Sequence, residues 1–225
     1  MAGAAKGVLG EKERTALRAL AVSRSYKAGE TIFYEGDPSD SLILIESGVV
    51  TVTRYAASGK DAILTFLNEG DVIGEIGCLS GAVRSATVAA NSAVKAGVVR
   101  QGDLFEALRR EPDLALSFIG VLCARLLATD ELVMSLSALP MRARLAGGLL
   151  QLAKRHGSDT DDLGRVKLGI QVTQRDLGAF VGLSRENVSR ILAEWRERGI
   201  VSSAAGGRLI LNDTDHLREI ADAER

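Results

Sequence analysis

The sequence predicts an α+β protein with a β-rich N-terminal domain, one long helix and a smaller C-terminal domain. Short apolar runs separated by glycine-containing turns fill residues 25–100, the pattern of an all-β domain. Residues 112–138 instead carry apolar side chains at helical spacing. The last part of the chain combines shorter helical patterns with two strand-like runs. We therefore divide the chain into residues 1–111, 112–139 and 140–225.

The N-terminal domain is predicted to be β because its apolar runs have the length of strands and its turns suit glycine. Turn sequences such as Glu-Gly-Asp and Glu-Ser-Gly place glycine where a positive φ costs little. Short strands at regular spacing favour a sandwich, a barrel or a jelly roll. The predicted strands are Thr31–Tyr34, Leu42–Ile45, Val49–Val52 and Ile63–Leu67.

The long helix is predicted to start at Pro112, because proline suits the first turn of a helix. It carries two apolar stripes, more than one core-facing side requires. The steps of the first stripe alternate between four and three residues, as in a coiled-coil seam. Its members are Phe118, Leu122, Arg125, Thr129, Leu132, Leu136 and Leu139, and those of the second are Leu116, Ile119, Leu126 and Val133. We expect the first stripe to meet a second copy of the chain and the second to cover the β domain; a helix buried within one chain is the alternative.

The C-terminal domain is predicted to begin after a break at Pro140, which interrupts the helical pattern and is a natural hinge. Residues 141–156 form another amphipathic helix, and the polar stretch Gly157–Gly164 is expected to be a loop. A hairpin is predicted near the C-terminus. Its strands lie around Ile200–Ser202 and Arg208–Leu211, and its turn is Gly206-Gly207.

The segment Val172–Leu192, VTQRDLGAFVGLSRENVSRIL, has the pattern of a helix-turn-helix. Thr173 and Ser184 can each cap a helix. Gly182 supplies the sharp turn between them, and Gly178 is small where the two helices cross. Five apolar residues are expected to face inward: Leu177, Val181, Leu183, Val188 and Ile191.

The outer face of the second predicted helix has the chemistry needed to read DNA bases. Arginine donates two hydrogen bonds to guanine, and glutamate accepts one from cytosine. Arg185 and Glu186 lie at the N-terminal end, which is the end that enters the major groove. An ordinary helical hairpin with a solvated charged face is the alternative. The predicted DNA-contacting residues are Thr173, Gln174, Ser184, Arg185, Glu186, Asn187, Ser189 and Arg190.

The segment Gly74–Thr87, GEIGCLSGAVRSAT, is predicted to bind a sugar that carries one phosphate. Backbone amides after its glycines can cradle an anion. Arg84 can hold a phosphate with two hydrogen bonds, and Ser85 can add a hydroxyl. Glu75 only accepts hydrogen bonds, so it suits a ribose hydroxyl. The alternative is a turn with a surface ion pair.

Composition excludes several classes of protein. A net charge of −1 argues against general binding to nucleic acid, so any DNA binding must come from a local arrangement. The cysteines and histidines lack the spacing of metal ligands, and we expect neither a metal site nor a tightly bound cofactor. No apolar run reaches the roughly 20 residues of a membrane span, and residues 1–10 lack the apolar core of a secretory signal. We therefore expect a cytoplasmic protein.

Four stretches together make the sequence resemble the cyclic-AMP-receptor branch of the CRP/FNR regulators. They are KDAILTFLNEGDVIGEIG (60–77), RSAT (84–87), ARLLATDELV (124–133) and LSRENVSRIL (183–192), and the likeness extends over roughly residues 20–212. The resemblance implies an N-terminal jelly roll, a long dimerisation helix and a C-terminal winged helix-turn-helix. It also implies a homodimer that binds double-stranded DNA and contacts RNA polymerase.

The resemblance further implies a 3′,5′-cyclic nucleotide as the effector, with cyclic AMP favoured and cyclic GMP as the alternative. Glu75 would bind the ribose 2′-hydroxyl, and Arg84 and Ser85 the cyclic phosphate, beside Gly74 and Ile76. Arg125 would tie the long helix to Glu75. Thr129 would bind the base, and Asp130 would reach the base held by the partner subunit. Arg185, Glu186 and Arg190 would read a palindromic site with TGTGA-like halves.

Three departures from the family pattern bear on these implications. Asp130 stands where the cyclic-AMP-binding branch has a serine, which leaves the choice of base open. Asn187 stands where that branch has a threonine, which affects fine sequence preference. The stretch Gly157–Gly164 covers the family's polymerase-contacting region without matching it.

Two rival functions are disfavoured by what the sequence lacks. A redox or gas sensor of the same family needs an N-terminal cysteine cluster or a histidine ligand in the β domain, but residues 1–30 have no cysteine and the first histidine is His156. A cyclic-nucleotide-regulated enzyme needs catalytic machinery, and residues 141–225 carry no nucleophile–base pair, metal set or phosphate-binding loop. We therefore expect no catalytic residues.

Overall fold

A computed structural model describes residues 8–56, 61–159, 164–204 and 207–223. The chain divides into two compact units, and the boundary falls within the long helix, between Asp130 and Glu131. Among the described residues no helix is both long and apolar enough to cross a bilayer.

The first unit contains eight strands in two antiparallel four-stranded sheets, as the β prediction requires. One sheet has the order β1-β8-β3-β6 and the other the order β2-β7-β4-β5. This is the two-sheet arrangement of a jelly roll. The strands are β1 Val22–Tyr26, β2 Thr31–Phe33, β3 Ser41–Ser47, β4 Val50–Tyr55, β5 Asp61–Leu67, β6 Val72–Ile73, β7 Thr87–Ala90 and β8 Val94–Arg100.

Strand β3 is buried on both faces, because its alternate side chains enter two different cores. Ile43 and Ile45 pack between the two sheets, whereas Leu42 and Leu44 pack on the other face of their own sheet with helical residues. The helices of this unit are α1 Glu11–Leu20, α2 Glu75–Ser80, α3 Gln101–Arg110 and α4 Pro112–Ala138, of which α4 is shared with the second unit. The long helix therefore has the predicted bounds.

The structure contradicts the predicted assignment of the α4 stripes at Phe118 and along the whole second stripe, whereas Thr129 and Leu136 of the predicted seam are exposed. Phe118, assigned to the seam between copies, is 2% exposed and lies in the core of its own unit with Leu114 and Val121. The stripe assigned to the β domain is exposed: Leu116 by 61%, Ile119 by 55%, Leu126 by 63% and Val133 by 55%. The apolar residues of both stripes have the spacing of a buried helix face. Contacts with residues distant in the sequence decide which stripe packs against the β domain.

The second unit surrounds a four-stranded antiparallel sheet with helices. Its sheet has the order β11-β12-β10-β9. Helix α5 (Met141–His156) follows Pro140, as predicted, and buries Leu145, Leu149 and Leu152. The other elements are β9 Gly157–Asp159, β10 Val166–Leu168, α6 Gln174–Val181, α7 Arg185–Glu197, β11 Val201–Ser203, β12 Leu209–Leu211 and α8 Thr214–Asp222.

The sheet of the second unit confirms the predicted hairpin and corrects the predicted loop. Strands β11 and β12 pair with each other, and Gly206 of their turn lies outside the described residues. Residues 157–159 form strand β9 rather than a loop, because they pair with β10. Their polar side chains gave no strand pattern, since this edge strand is specified by its partner. Residues 160–163 of the predicted loop lie outside the described residues.

Candidate functional site

Arg84 is the central side chain of the Gly74–Thr87 segment, and it is only 4% exposed. Its Nη1 donates to the carbonyl oxygens of Ser41 (2.8 Å) and Gly74 (3.2 Å), and its Nη2 donates to Ser41 Oγ (3.0 Å). Its Cζ lies 4.2 Å from the centroid of the Phe33 ring, a cation–π distance. Burial lowers the pKa of this guanidinium, since low polarity disfavours the charged form.

The charge of Arg84 has no carboxylate partner within ion-pair distance among the described residues, and its buried Nε makes no hydrogen bond. All three acceptors around it are uncharged oxygens. Burying an arginine in this way is costly unless an anion completes its environment. Asp40, Asp37 and Glu75 lie near enough to favour its charged form, but none is within ion-pair distance of it. Arg84 therefore has no directly bonded anion among the described residues, and a phosphate group can supply one.

Gly74 fits this arrangement through its backbone. It has a φ of 76°, which glycine adopts readily, and a Cβ atom at this position would lie 1.9 Å from Arg84 Nη1. A side chain here would displace the guanidinium. The predicted phosphate-binding segment Gly74–Thr87 contains the short helix α2, whose first residue is Glu75.

Glu75 is the second charged group of the site and is 2% exposed. Arg125 of α4 forms an ion pair with its carboxylate and also donates to the carbonyl of Val72 at 2.6 Å. The predicted link between Glu75 and the long helix is therefore present. One carboxylate oxygen, Oε1, receives Arg125, and the carboxylate retains further acceptor positions for a hydroxyl.

The remaining predicted ligand residues are more exposed than the two charged ones. Ile76 is 49% exposed. Ser85, which directly follows Arg84 in the sequence, is also exposed. Thr129 Oγ1 donates to the carbonyl of Arg125 at 2.9 Å, one helical turn earlier. Asp130 is exposed on the uncovered face of α4, between Leu126 and Val133. The structure thus brings Gly74, Glu75, Arg84 and Arg125 together, and it leaves Thr129 and Asp130 available on the helix surface.

Ser41 and Phe33 are parts of this site that the sequence did not reveal. Both come from strands that precede the Gly74–Thr87 segment by more than 30 residues. Ser41 begins β3, and Phe33 ends β2. No local motif marks either residue, because their role depends on how the strands pair.

The helix-turn-helix has the local structure that its sequence predicted. Thr173 caps α6 with a reciprocal capping box to Asp176. Ser184 Oγ caps α7 by accepting from the backbone amide of Asn187 at 3.2 Å. Gly182 ends α6 with a φ of 67°. A Cβ on Gly178 would lie 2.6 Å from the carbonyl oxygen of Leu183, so the close approach is to the turn before α7.

The outer face of α7 is available to a partner. Arg185, Glu186 and Arg190 are exposed, whereas Val188 and Ile191 are buried against the domain. An open concavity is lined by Gln174, Arg185, Glu186, Ser189, Arg190 and Ala193. Hydrogen bonds with its own backbone amide and with Ser184 lower the pKa of Glu186, because they favour the carboxylate at the helix N-terminus. Glu186 is therefore an acceptor at neutral pH.

Comparison with known families assigns a class to each unit. Residues 23–111 match the family model of the cyclic nucleotide-binding domain, and residues 143–220 match that of the Crp-like helix-turn-helix domain. The buried arginine and glutamate lie in the first match, and the exposed α7 face lies in the second. The two matches define a cyclic-nucleotide-binding, DNA-binding transcription regulator rather than an enzyme.

Whole-chain relatives extend this assignment. The "cAMP-activated global transcriptional regulator CRP" of Salmonella typhimurium is 32% identical over 179 residues, which are 79% of this chain and 84% of that protein. The "CRP-like cAMP-activated global transcriptional regulator" of Mycobacterium tuberculosis is 30% identical over 192 residues, 85% of this chain and 84% of that protein. The chain belongs to the CRP/FNR family of transcription regulators.

Solved structures agree on the fold. FixK2 from Bradyrhizobium japonicum superposes with a TM-score of 0.79 at 23% identity, and the match covers 91% of this chain and 99% of that one. At this identity the likeness concerns the fold alone. It does not identify the effector or the DNA sequence that this chain recognises.

Proposed function

We propose that this chain is a cyclic-AMP-responsive transcription regulator that binds palindromic, TGTGA-like DNA as a homodimer. The observation that carries the proposal is Arg84, a buried cation surrounded only by neutral acceptors. A cyclic phosphate would supply the directly bonded anion that Arg84 lacks among the described residues, and Ser85 would supply a further hydroxyl.

The second anchor of the proposed nucleotide is Glu75. Its carboxylate is buried, paired with Arg125 and rich in acceptor positions, so it suits the ribose 2′-hydroxyl. A helix rises about 1.5 Å per residue, so Thr129 lies roughly 6 Å along α4 from Arg125. That separation is comparable to the distance from a ribose to the far edge of its base, which supports Thr129 as a base contact.

Cyclic AMP is the favoured effector because relatives at 30% and 32% identity are named as cAMP-activated regulators. Cyclic GMP is the second candidate, and Asp130 is the observation that favours it. An exposed carboxylate can accept from both N1–H and N2–H₂ of guanine, a pair of donors that adenine lacks. The hydroxyl of Thr129 donates its hydrogen to the carbonyl of Arg125, so its oxygen can accept from N6–H₂ of adenine or from N1–H or N2–H₂ of guanine, and Thr129 tolerates either base.

The proposed homodimer uses the uncovered stripe of α4. The residues of this stripe follow one another in alternating steps of three and four, the repeat of a coiled-coil seam. They are Leu116, Ile119, Cys123, Leu126, Asp130 and Val133. The apolar members are more than half exposed in the single chain, and a continuous exposed apolar stripe is typical of an interface. Asp130 on this stripe would face the partner subunit.

A substitution in this stripe tests the dimer. Leu126→Asp should give a monomer, because it adds a second charge near Asp130 to a seam whose other members are apolar. Light scattering at micromolar concentration, with and without nucleotide, measures the mass. Ala128→Asp introduces the same charge at an exposed position outside the stripe and should remain dimeric. A wild-type protein that is monomeric in both conditions would refute the dimer.

The proposed DNA contacts follow from the exposed face of α7. Arg185 and Arg190 are placed to donate to guanine, and Glu186 to accept from cytosine. Thr173, Gln174, Ser184, Asn187 and Ser189 surround them and suit contacts to phosphates and base edges. Two-fold symmetry in the dimer would require a palindromic site with half-sites one helical turn apart.

RNA polymerase is the proposed further partner, and the cytoplasm, where the chromosome is accessible, is the proposed location.

One experiment tests the effector and the function together. Calorimetric titration with cyclic AMP and cyclic GMP separately gives the two affinities, and a DNA-shift assay with a TGTGA-type palindrome follows with each nucleotide. We expect cyclic AMP to bind more tightly and to increase the affinity for the palindrome. If neither nucleotide binds, the proposal is wrong; if only cyclic GMP increases DNA affinity, the effector is cyclic GMP.

A further inference from the structure

Ser41 contacts Arg84 through two separate oxygen atoms. Its carbonyl accepts from Nη1 at 2.8 Å and its hydroxyl accepts from Nη2 at 3.0 Å. Both bonds fall on the same edge of the guanidinium, the edge formed by the two terminal nitrogens. One residue, 43 positions earlier in the chain, therefore bonds both terminal nitrogens of the arginine.

The contacts of Ser41 determine which donors of Arg84 are left for a ligand. A guanidinium has five N–H groups. Nη1 uses both of its hydrogens on Ser41 and Gly74, and Nη2 uses one on Ser41. The two that remain are on Nε and Nη2, which share the other edge of the plane. Two parallel donors on one edge form the fork that binds two oxygens of a phosphate.

The hydroxyl of Ser41 is itself oriented by a neighbour. Ser41 Oγ donates its only hydrogen to Asp40 Oδ1 at 3.1 Å. Because that hydrogen points to Asp40, the oxygen lone pairs of the hydroxyl are available to Arg84. Asp40 is exposed, so its carboxylate remains solvated while it orients a hydroxyl at the edge of a buried site. The order of contacts is Asp40 to Ser41 to Arg84.

We propose that Ser41, oriented by Asp40, is a positioning residue that holds Arg84 with one edge directed at the phosphate of the nucleotide. Ser41 does not contact the ligand in this scheme and acts only through the guanidinium. This inference rests on the proposed function, because it requires that Arg84 bind the cyclic phosphate. It predicts that affinity for the nucleotide depends on a hydroxyl at position 41.

Single substitutions give the first test. Ser41→Ala keeps the backbone carbonyl but removes the hydroxyl, and it should weaken binding of cyclic AMP about five- to tenfold, the loss expected for one typical hydrogen bond. Ser41→Thr restores a hydroxyl and should lie within about twofold of wild type. Ser47→Ala, at the other end of β3, is the matched control and should bind normally. Asp40→Ala, at an exposed position, should weaken binding about two- to threefold without affecting folding.

A double-mutant cycle separates positioning from general damage. Arg84→Lys keeps the charge but loses the fork, so it should weaken nucleotide binding by itself. In that background, Ser41→Ala should change the affinity by less than about twofold, because no guanidinium remains to be oriented. Thermal unfolding of each variant without nucleotide reports any loss of the fold.

The outcomes distinguish the two levels of the proposal. If Arg84→Lys binds cyclic AMP and cyclic GMP as tightly as wild type, the phosphate assignment itself is wrong. If Arg84→Lys weakens binding but Ser41→Ala has no effect, only the role of Ser41 is refuted. An equal loss from Ser41→Ala in both backgrounds, or a failure of Ser41→Thr to restore binding, also refutes that role.

Discussion

The first unit and the second unit both depend on arginine and glutamate, but they hold these residues in opposite environments. Glu75 and Arg84 are almost completely buried, with fixed partners. Arg185 and Glu186 are exposed at the start of α7. Buried charges cost free energy before any ligand arrives, whereas exposed charges remain hydrated until DNA replaces the water.

Because the charges are buried in one unit and exposed in the other, folding and ligand recognition depend on the same residues only in the first unit. In the first unit, a charged side chain is part of the packing, so its substitution should affect both stability and ligand binding. In the second unit, the packing is carried by Leu177, Val181 and Val188, and the reading face can vary without disturbing it. We therefore expect substitutions on the exposed face of α7 to change DNA binding with little effect on stability.

Arg84→Leu should produce the largest effect and tests the buried side of the comparison. Loss of the charged donor should reduce nucleotide affinity by at least about 2–3 kcal/mol. Since Arg84 also satisfies the carbonyls of Ser41 and Gly74, we further expect unfolding at a lower temperature, in contrast to a residue whose only partner is the ligand. Calorimetric titration and thermal unfolding measure the two losses, and unchanged nucleotide affinity would remove Arg84 from the site.

Arg185→Ala should have an intermediate effect and tests the exposed side. Discrimination at one base pair of the site should fall by about 1–3 kcal/mol, because a guanine contact is lost. Binding to unrelated DNA and the unfolding temperature should change little. Competition shift assays with single-base variants provide the measurement, and Arg196→Ala on the same helix is the control. Equal weakening of specific and random DNA would show that Arg185 does not read a base.

Asp130→Ser should have the smallest effect. It tests whether an exposed charge in the ligand-binding unit contributes to the choice of nucleotide base. We expect cyclic GMP to bind wild-type protein measurably and the substitution to lower its affinity more than that of cyclic AMP, because a serine cannot accept N1–H and N2–H₂ together. Parallel titrations give the ratio of the two affinities. A ratio that does not change means that Asp130 does not read the base.

The sequence by itself determined the features that depend on neighbouring residues. The caps at Thr173 and Ser184 and the turn at Gly182 follow from chemistry within three or four positions, and all three were predicted correctly. The bounds of α4 were set by proline at one end and by Pro140 beyond the other. The residue types of the Gly74–Thr87 segment predict a site for a sugar and a phosphate, and this site stays a prediction.

Only the tertiary structure decided which surfaces meet. The periodicity of α4 allowed either stripe to cover the β domain, and the burial of Phe118 together with the exposure of Leu116 and Ile119 shows that the stripe predicted to cover it does not. Strand β9 forms because β10 lies beside it, although its own residues are polar. Ser41 reaches Arg84 because the fold brings the start of β3 to a segment 43 residues later. A local pattern records the conformations that a segment favours, whereas the choice of partner depends on the free energy of contacts between residues that are distant in the chain.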